Sequence, residues 1–367
     1  MDLAVLHKTL RSNFLGRILL WFLSLFYRTA IALRKYIYEM GFFKTNSVNA
    51  RVVCIGNITT GGTGKTTAVM LAAKMLAQAN MRVAIITRGY KRNADKNEVV
   101  VLSEKTTDSW DKAGDEAFMM FEALRDYGIP VVACPDRFKA AQTAVKRFKS
   151  QILLMDDGFQ HFSLDRDMDI VLLDARDPFG GDALLPLGTL REPKSALSRA
   201  GLVLITHSNQ VEPDAIAAIR EEVAKYNSEV KVLESTHEPE YFFDLCTSEK
   251  IELKKLKGKA TALSAIGDPE SFEETLRKLG IKLTQIWRYP DHHPYTMDEL
   301  ANAKEYCANN PIITTYKDFT RFPENWREKL KDGIYVLSIH LNISGGEDEW
   351  DEWAEAIYPK LSQKISR

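Results

Sequence analysis

The chain has 367 residues, of which 45% are hydrophobic and 27% charged, as in an ordinary globular protein. This length predicts two or three domains, each large enough to bury a core. The formal net charge of −1 provides no overall positive field, which argues against nucleic acid as a partner. The four cysteines are scattered without a C-x-x-C pair, which excludes a disulfide framework and favours a reducing compartment.

Residues 1–46 are predicted to be an N-terminal amphipathic, membrane-associated segment. Within it, residues 14–41 contain no proline and are predicted to form one helix that is mostly apolar. Four polar residues of this helix, spaced 7, 4 and 7 apart, share one narrow face: Arg17, Ser24, Arg28 and Lys35. A basic stripe on an apolar helix rich in aromatic residues is typical of a helix that lies in the membrane interface.

Three alternatives for this helix remain open. It could be an ordinary helix packed on the core, or a tilted spanning helix if Arg28 extends to the membrane surface. It could also be a signal peptide, because Lys8 and Arg11 precede the apolar run and residues 30–32 resemble a cleavage site. The phosphate-binding motif that follows argues against export, since export would separate the protein from ATP.

The central motif is RVVCIGNITTGGTGKTTAVM, residues 51–70. It predicts a buried strand, a glycine-rich loop and then a helix, which is the order of a phosphate-binding loop. The glycines allow backbone N–H groups to converge on phosphate oxygens, and the helix N-terminus adds its positive dipole end. Lys65 is expected to reach the β- and γ-phosphates, and the Thr66 hydroxyl to bind Mg²⁺. The predicted ATP-binding residues are Thr59, Thr60, Gly61, Gly62, Thr63, Gly64, Lys65, Thr66 and Thr67.

From Arg51 onward predicted strands and helices alternate, which indicates an α/β fold with a P-loop NTPase-type, mainly parallel sheet flanked by helices. A composition break near residues 235–258 predicts a kinase domain over 47–235 and a smaller second α/β domain over 236–367. Thr236–Ser248 is expected to be irregular. Helix starts are predicted at Asp268, followed by Pro269, and at the capping box that Thr296 opens.

Several polar groups lie where predicted strands end or helices begin. Asp156 and Asp157 follow a buried strand and are predicted Mg²⁺ ligands, although a turn with an Asp cap is the alternative. Asp115 and Glu116 lie at the start of a predicted helix and are candidate catalytic carboxylates. The alternative is equally favoured, because the helix dipole alone stabilises carboxylates at that position. Asp291 and His292 are a candidate acid–base pair, with a polar loop as the alternative. Three arginines are candidate phosphate ligands, although each alone is more often a surface residue: Arg88, Arg137 and Arg191.

Over most of its length the chain resembles the tetraacyldisaccharide 4′-kinases, the lipid A 4′-kinases of Gram-negative bacteria. The resemblance rests on seven motifs in matching order: GNITTGGTGKT (56–66), RGY (88–90), GDE (114–116), DDGFQH (156–161), LLPLGTLREP (184–193), DHH (291–293) and TTYKD (314–318). The chain departs from the family pattern at Thr67, Ala117 and Tyr316. The last departure places any role of that position in doubt.

The resemblance implies roles for individual residues. Asp115 would be the base that activates the sugar hydroxyl, with His292 as its partner from the second domain. Asp156, Asp157 and Gln160 would surround the metal and the γ-phosphate. The remaining candidates would bind the substrate: Arg88, Tyr90, Glu116, Arg137, His161 and Arg191.

The resemblance also implies the reaction. The enzyme would use ATP and Mg²⁺ to phosphorylate the 4′-hydroxyl of a tetraacylated glucosamine disaccharide 1-phosphate, giving lipid IVA. Its partners would be this membrane lipid and the inner-membrane surface, where it would be peripheral or monotopic on the cytoplasmic face; no obligate protein partner is evident. The alternatives are a P-loop kinase of a soluble metabolite and a nucleotide-dependent switch or maturation NTPase.

Overall fold

The structure is a computed structural model that describes residues 10–105, 110–307, 309–328 and 330–359, apart from the side chain of residue 347. Lys8 of the signal-peptide alternative lies outside the described residues. The helices are α1 (Phe14–Glu39), α2 (Lys65–Gln78), α3 (Trp110–Ala113), α4 (Asp115–Ala123), α5 (Arg137–Phe148), α6 (Pro213–Ala224), α7 (Pro269–Lys278), α8 (Met297–Tyr306), α9 (Tyr316–Phe319) and α10 (Glu347–Ile357). The strands are β1 (Arg51–Asn57), β2 (Val83–Thr87), β3 (Val100–Leu102), β4 (Val131–Ala133), β5 (Ile152–Asp156), β6 (Met168–Asp174), β7 (Leu202–Thr206), β8 (Lys231–Asp244), β9 (Lys250–Ile251), β10 (Gly258–Ser264), β11 (Ile281–Arg288), β12 (Ile312–Thr315) and β13 (Ile334–Ser344).

The described chain divides into two compact units. Unit 1 contains the residues up to Arg88, Val132–Thr236 and the residues from Asn342 onward. Unit 2 contains Gly89–Val131 and His237–Leu341. The segment Gly89–Val131, which lies inside the range predicted for the kinase domain, thus belongs to the same unit as the DHH motif.

Unit 1 has a parallel sheet in the strand order β8–β7–β6–β1–β5–β2. Apart from β8, its strands are almost wholly buried, because they are runs of β-branched and other apolar residues covered by helices such as α2. The carboxyl ends of parallel strands lie at one edge of a sheet, which is where α/β proteins bind their ligands. The loops that follow β1, β5, β6 and β7 therefore meet at that edge.

Helix α1 is long and mostly exposed. Its most apolar window of 18 residues has a mean hydropathy of 1.4, and only 11% of that window is buried. Among the described residues it is the one helix long and apolar enough to cross a membrane, by length and composition alone. This exposure argues against the alternative of a core helix, whereas a signal sequence would have the same features.

Unit 2 has its own parallel sheet in the order β11–β10–β12–β13. Helix α7 packs on β11, and the short helix α9 contacts both β12 and α4. The predicted helix starts are confirmed: the Asp268 side chain accepts from Ser271 N, and Thr296 and Glu299 form a capping box. The α/β prediction of a mainly parallel sheet with a smaller second α/β part is likewise confirmed.

The expectation that Thr236–Ser248 is irregular is wrong, because β8 continues to Asp244. This stretch contains Pro239, and proline has no N–H group to donate to a strand ladder. In the structure Pro239 lies between the stretch of β8 that pairs with β7, Lys231–Glu234, and the stretch that pairs with β9, Phe242–Phe243. The proline therefore occupies a position where these two pairings need no donor.

Candidate active site

The glycine-rich loop of unit 1 connects β1 to α2 in a conformation that requires glycine. Gly61 and Gly64 have φ angles of 112° and 79°, a region that side chains with a Cβ atom rarely adopt. Gly64 is the N-cap of α2, and its carbonyl accepts from Thr67 Oγ1 at 2.7 Å. A Cβ atom placed on Gly61 or Gly62 would have no atom within 4 Å, so this part of the loop faces open space. The loop can therefore approach a phosphate closely.

Neighbouring strand ends hold the loop in place. The Thr60 amide donates to the Thr189 carbonyl at 2.8 Å. Asn57 Nδ2, at the end of β1, donates to Thr63 Oγ1 at 3.0 Å. Thr206 Oγ1, at the end of β7, donates to the Thr63 carbonyl at 3.1 Å. These three hydrogen bonds fix the loop before any ligand binds, which lowers the cost of ordering it.

Lys65, Asp157 and Arg191 form an ionic cluster beside the loop. Lys65 Nζ lies 3.7 Å and Arg191 Nη1 2.7 Å from the same oxygen, Asp157 Oδ1. Burial raises the pKa of Asp157, but the charges of Lys65 and Arg191 outweigh it and hold that pKa below its usual value. Two cations share one carboxylate here, so the cluster keeps positive charge available for an anion.

The predicted Mg²⁺ ligands Asp156 and Gln160 provide oxygen atoms near the end of β5. Asp156 is buried at the end of β5, where its Oδ2 accepts from Thr87 Oγ1 at 3.2 Å. Gln160 Nε2 donates to the Asn57 carbonyl at 2.8 Å, while Gln160 Oε1 is buried without a hydrogen-bond partner in the described part of the chain. Carboxylate, amide and hydroxyl oxygens suit Mg²⁺. The described residues contain no group of three or more His, Cys, Asp or Glu able to hold a metal ion.

The other substrate candidates of unit 1 differ in accessibility. Arg88 is exposed directly after β2. Arg137 is only 3% exposed, and its Nη1 donates to the Cys134 carbonyl at 3.1 Å. Burial lowers the pKa of Arg137 to about 10 although Asp156 and Asp157 raise it, which leaves it cationic at neutral pH. Because Arg137 is buried, its position favours a structural role in holding the ends of the strands over direct contact with a substrate.

His161 is held neutral. Its Nε2 lies 2.7 Å from Ser163 Oγ, and burial, with the charges of Arg137 and Arg34, lowers the pKa of His161 to about 4. Between pH 6.5 and 4 the His161 side chain therefore binds protons more strongly in the unfolded chain than in the folded one. The free energy of unfolding consequently decreases as the pH falls through that window. We expect urea unfolding to show this loss, up to about 3 kcal/mol, in the native chain and not in His161→Gln. Equal pH slopes for the two proteins would contradict it.

Unit 2 contains the predicted base and its partner. Gly114, with φ of 91°, precedes α4, so Asp115 is the first residue of that helix and is only 4% exposed. His292 lies in the loop after β11 with φ of 64°. Its Nδ1 is 2.7 Å from Asp115 Oδ2. The fold thus brings two residues that are 177 positions apart in the sequence into direct hydrogen-bond contact.

Two cations complete this arrangement. Lys317 Nζ lies 3.4 Å from His292 Nε2 and 3.2 Å from Asp291 Oδ1. Arg321 Nε lies 3.9 Å from Asp115 Oδ2. Burial raises the pKa of Asp115, but the hydrogen bond with His292 and the charges of Lys317 and Arg321 hold that pKa below its usual value. Asp115 is therefore ionised at neutral pH and able to accept a proton.

Sequence reasoning gave no role to Lys317 or Arg321. Lys317 lies within the TTYKD motif, so the motif was a usable signal. Arg321 gave no such signal: it is buried, and its Nη2 donates to Asp318 Oδ1 at 3.2 Å.

Of the remaining candidates, Tyr90 is 53% exposed with its ring 6.0 Å from the His292 ring. The Glu116 amide donates to Asp115 Oδ1 at 3.0 Å.

Comparison with known proteins identifies the family to which the chain belongs. The sequence profile of the family described as Tetraacyldisaccharide-1-P 4'-kinase matches residues 16–358. The chain is 52% identical over 363 residues to a tetraacyldisaccharide 4'-kinase from Elusimicrobium minutum, covering 99% of this chain and 97% of the relative. It is 36% identical to one from Halothermothrix orenii, covering 90% and 91% of the two chains.

A solved structure agrees with the sequence matches. The crystal structure of LpxK from Aquifex aeolicus in complex with ATP superposes with a TM-score of 0.74 at 28% identity. The match covers 93% of this chain and 99% of the Aquifex protein. Sequence and fold therefore agree along nearly the whole length, and the chain belongs to the tetraacyldisaccharide-1-P 4'-kinase family.

Proposed function

We propose that this chain transfers the γ-phosphoryl group of ATP to the 4′-hydroxyl of a tetraacylated glucosamine disaccharide 1-phosphate, giving lipid IVA. The observation that carries the proposal is its membership of this kinase family, at 52% identity over 99% of the chain. The ionised Asp115, hydrogen-bonded to His292, and the phosphate-binding loop at Lys65 support it with the chemistry that the reaction needs.

The triphosphate of ATP would bind the loop between β1 and α2. Backbone amides of the loop, together with Lys65 Nζ, would hold the β- and γ-phosphates, and Arg191 would add a second cation. Bound Mg²⁺ would neutralise charge on the phosphate oxygens, with Thr66, Asp156, Asp157 and Gln160 as the residues to hold it. The helix dipole of α2 and these cations would stabilise the charge of the transferring group without moving.

Asp115 would act as the general base. Its carboxylate would accept the proton of the acceptor hydroxyl as the new oxygen–phosphorus bond forms and ADP departs with the electrons of the broken bond. With a proton on Nδ1, His292 donates to Asp115 and fixes the orientation of that carboxylate. Nε2 of His292 can then accept from Lys317, which Asp291 holds in turn. Arg88, Tyr90, Glu116 and His161 stay candidates for contacts with the sugar or its phosphate.

The substrate and helix α1 together argue for action at a membrane. Acyl chains resist leaving a bilayer by about 0.8 kcal/mol for each CH₂ group, so the enzyme must come to the surface. Helix α1 exposes Trp21, Phe22 and Phe26 at 53%, 51% and 74%. We infer a peripheral or monotopic attachment at the inner membrane, on the cytoplasmic face because ATP is available there.

Replacing Phe22 and Phe26 together by glutamate should release the protein from membranes. Each phenylalanine contributes about 1.5–3 kcal/mol when buried in an apolar phase, so the pair should lower partitioning more than about 100-fold. Sedimentation with vesicles of phosphatidylethanolamine and phosphatidylglycerol measures this. Ile286→Glu, at a position of unit 2 that is 41% exposed, is the control. An unchanged bound fraction in the double variant would remove the anchoring role.

The decisive assay is transfer of label from γ-labelled ATP to the tetraacyl disaccharide 1-phosphate in detergent. A labelled, bisphosphorylated lipid that forms only with both substrates supports the proposal. Release of labelled inorganic phosphate without labelled lipid would favour a nucleotide-dependent switch. Transfer to water-soluble sugars with none to the lipid would favour a kinase of a soluble metabolite.

A further inference from the structure

One face of helix α1 packs on the segment of residues 183–193, also in unit 1. Leu20 is buried, and the next two residues on that face form hydrogen bonds to this segment. Ser24 Oγ donates to the Leu184 carbonyl at 3.0 Å, and Tyr27 OH donates to the Arg191 carbonyl at 3.1 Å. Positions four and three residues apart lie on one side of a helix, so these contacts form a continuous row.

The row ends at a residue of the candidate phosphate site. The Tyr27 hydroxyl bonds to the backbone of Arg191, whose Nη1 lies 2.7 Å from Asp157 Oδ1. The same guanidinium nitrogen lies 3.3 Å from Asn57 Oδ1. Asp157 in turn is 3.7 Å from Lys65 Nζ. Helix α1 is therefore connected to the phosphate-binding lysine through Arg191 and Asp157.

The same helix also contacts the second loop that carries site residues. The Tyr38 ring lies 5.6 Å from the Phe162 ring, and the Arg34 guanidinium lies 5.8 Å from its centre. Phe162 directly follows Gln160 and His161. Helix α1 thus contacts two of the loops that carry candidate site residues, at two places along its length.

We propose that Tyr27 is a positioning residue for phosphoryl transfer: its hydroxyl fixes the Arg191 backbone, so the seated helix α1 is part of the nucleotide site. This rests on the proposed role of that site in binding ATP. Burial raises the pKa of Tyr27, which keeps its hydroxyl protonated and able to donate at neutral pH. Helix α1 then has a second role besides membrane attachment, because detaching it from the segment of residues 183–193 would release the Arg191 guanidinium from its position in the site.

The test compares two tyrosines of the same helix. Tyr27→Phe removes one hydroxyl, and Tyr36→Phe removes the same group from a side chain that is 54% exposed. We measure the affinity for labelled ATP with Mg²⁺ by equilibrium dialysis, in detergent and without any lipid acceptor. A lost neutral hydrogen bond predicts affinity about 3- to 10-fold weaker in Tyr27→Phe and unchanged in Tyr36→Phe. Equal affinity in Tyr27→Phe and the native chain would overturn the inference.

A double-mutant cycle separates positioning from a general structural effect. If Tyr27 acts through Arg191, Tyr27→Phe should cost nothing further in an Arg191→Ala background. The same fold-loss in both backgrounds would refute the coupling. Ser24→Ala removes one of the two hydrogen bonds that the Leu184 carbonyl accepts and leaves the one from the Gly188 amide. This variant should also weaken ATP binding and serves if Tyr27→Phe fails to fold. Because no lipid is present, failure of the lipid kinase assay would leave this result unaffected.

Discussion

Asp115→Asn is expected to lower kcat by about 100- to 10,000-fold, the usual contribution of a general base, while ATP affinity stays within about twofold of the native value. The amide retains the size of the carboxylate and can still accept a hydrogen bond from His292. It cannot take the proton of the acceptor hydroxyl. Loss of turnover with intact nucleotide binding is therefore the signature of this residue.

The matched control for this variant is Asp126→Asn in the same unit. Asp126 is exposed, and its partner is Lys250 at 3.2 Å. The control should keep native kcat, measured as label transfer to the lipid under saturating ATP. If Asp115→Asn instead weakened ATP binding and kept native turnover, Asp115 would be a nucleotide ligand and the assignment of the base would fall.

Lys65→Ala is expected to weaken ATP binding by about 10- to 100-fold, because hydrogen bonds to charged groups each contribute about 1.5–3 kcal/mol. Turnover should also fall below about 1% of the native rate, since the same ammonium group stabilises charge on the transferring phosphate. The two effects together distinguish a group that binds both ground state and transition state from a base that acts only in chemistry. Equilibrium dialysis and label transfer measure the two effects separately.

The control for Lys65→Ala is Lys278→Ala. Lys278 belongs to unit 2 and forms a surface ion pair with Glu274 at 2.9 Å, so both ATP affinity and turnover should be unchanged. Native ATP affinity in Lys65→Ala would show that the loop between β1 and α2 does not hold the triphosphate.

Features determined by local sequence were predictable. The strand, glycine loop and helix around Lys65 follow from side-chain periodicity and from the need for glycine where φ is positive, as at Gly61 and Gly64. Helix starts such as Thr296 follow from hydrogen bonds within four residues. The apolar helix α1 could be recognised because its pattern persists over many turns.

Features that depend on contacts between distant residues were not predictable from the residues alone. The pairing of Asp115 with His292 was expected only through family resemblance, since no local pattern relates residues 177 positions apart. The burial of Arg137 and the approach of Lys317 to His292 likewise depend on how elements pack. The continuation of β8 past Pro239 likewise depends on the strand pairings on either side of this residue.

The most direct test of the central claim is to locate the phosphate that the enzyme adds. The tetraacyl disaccharide 1-phosphate is incubated with ATP and Mg²⁺, and the product is analysed by tandem mass spectrometry and phosphorus NMR. We predict one new phosphate monoester, at the 4′-oxygen of the sugar that carried none. A phosphate on any other oxygen, or a pyrophosphate at the 1-position, would contradict it.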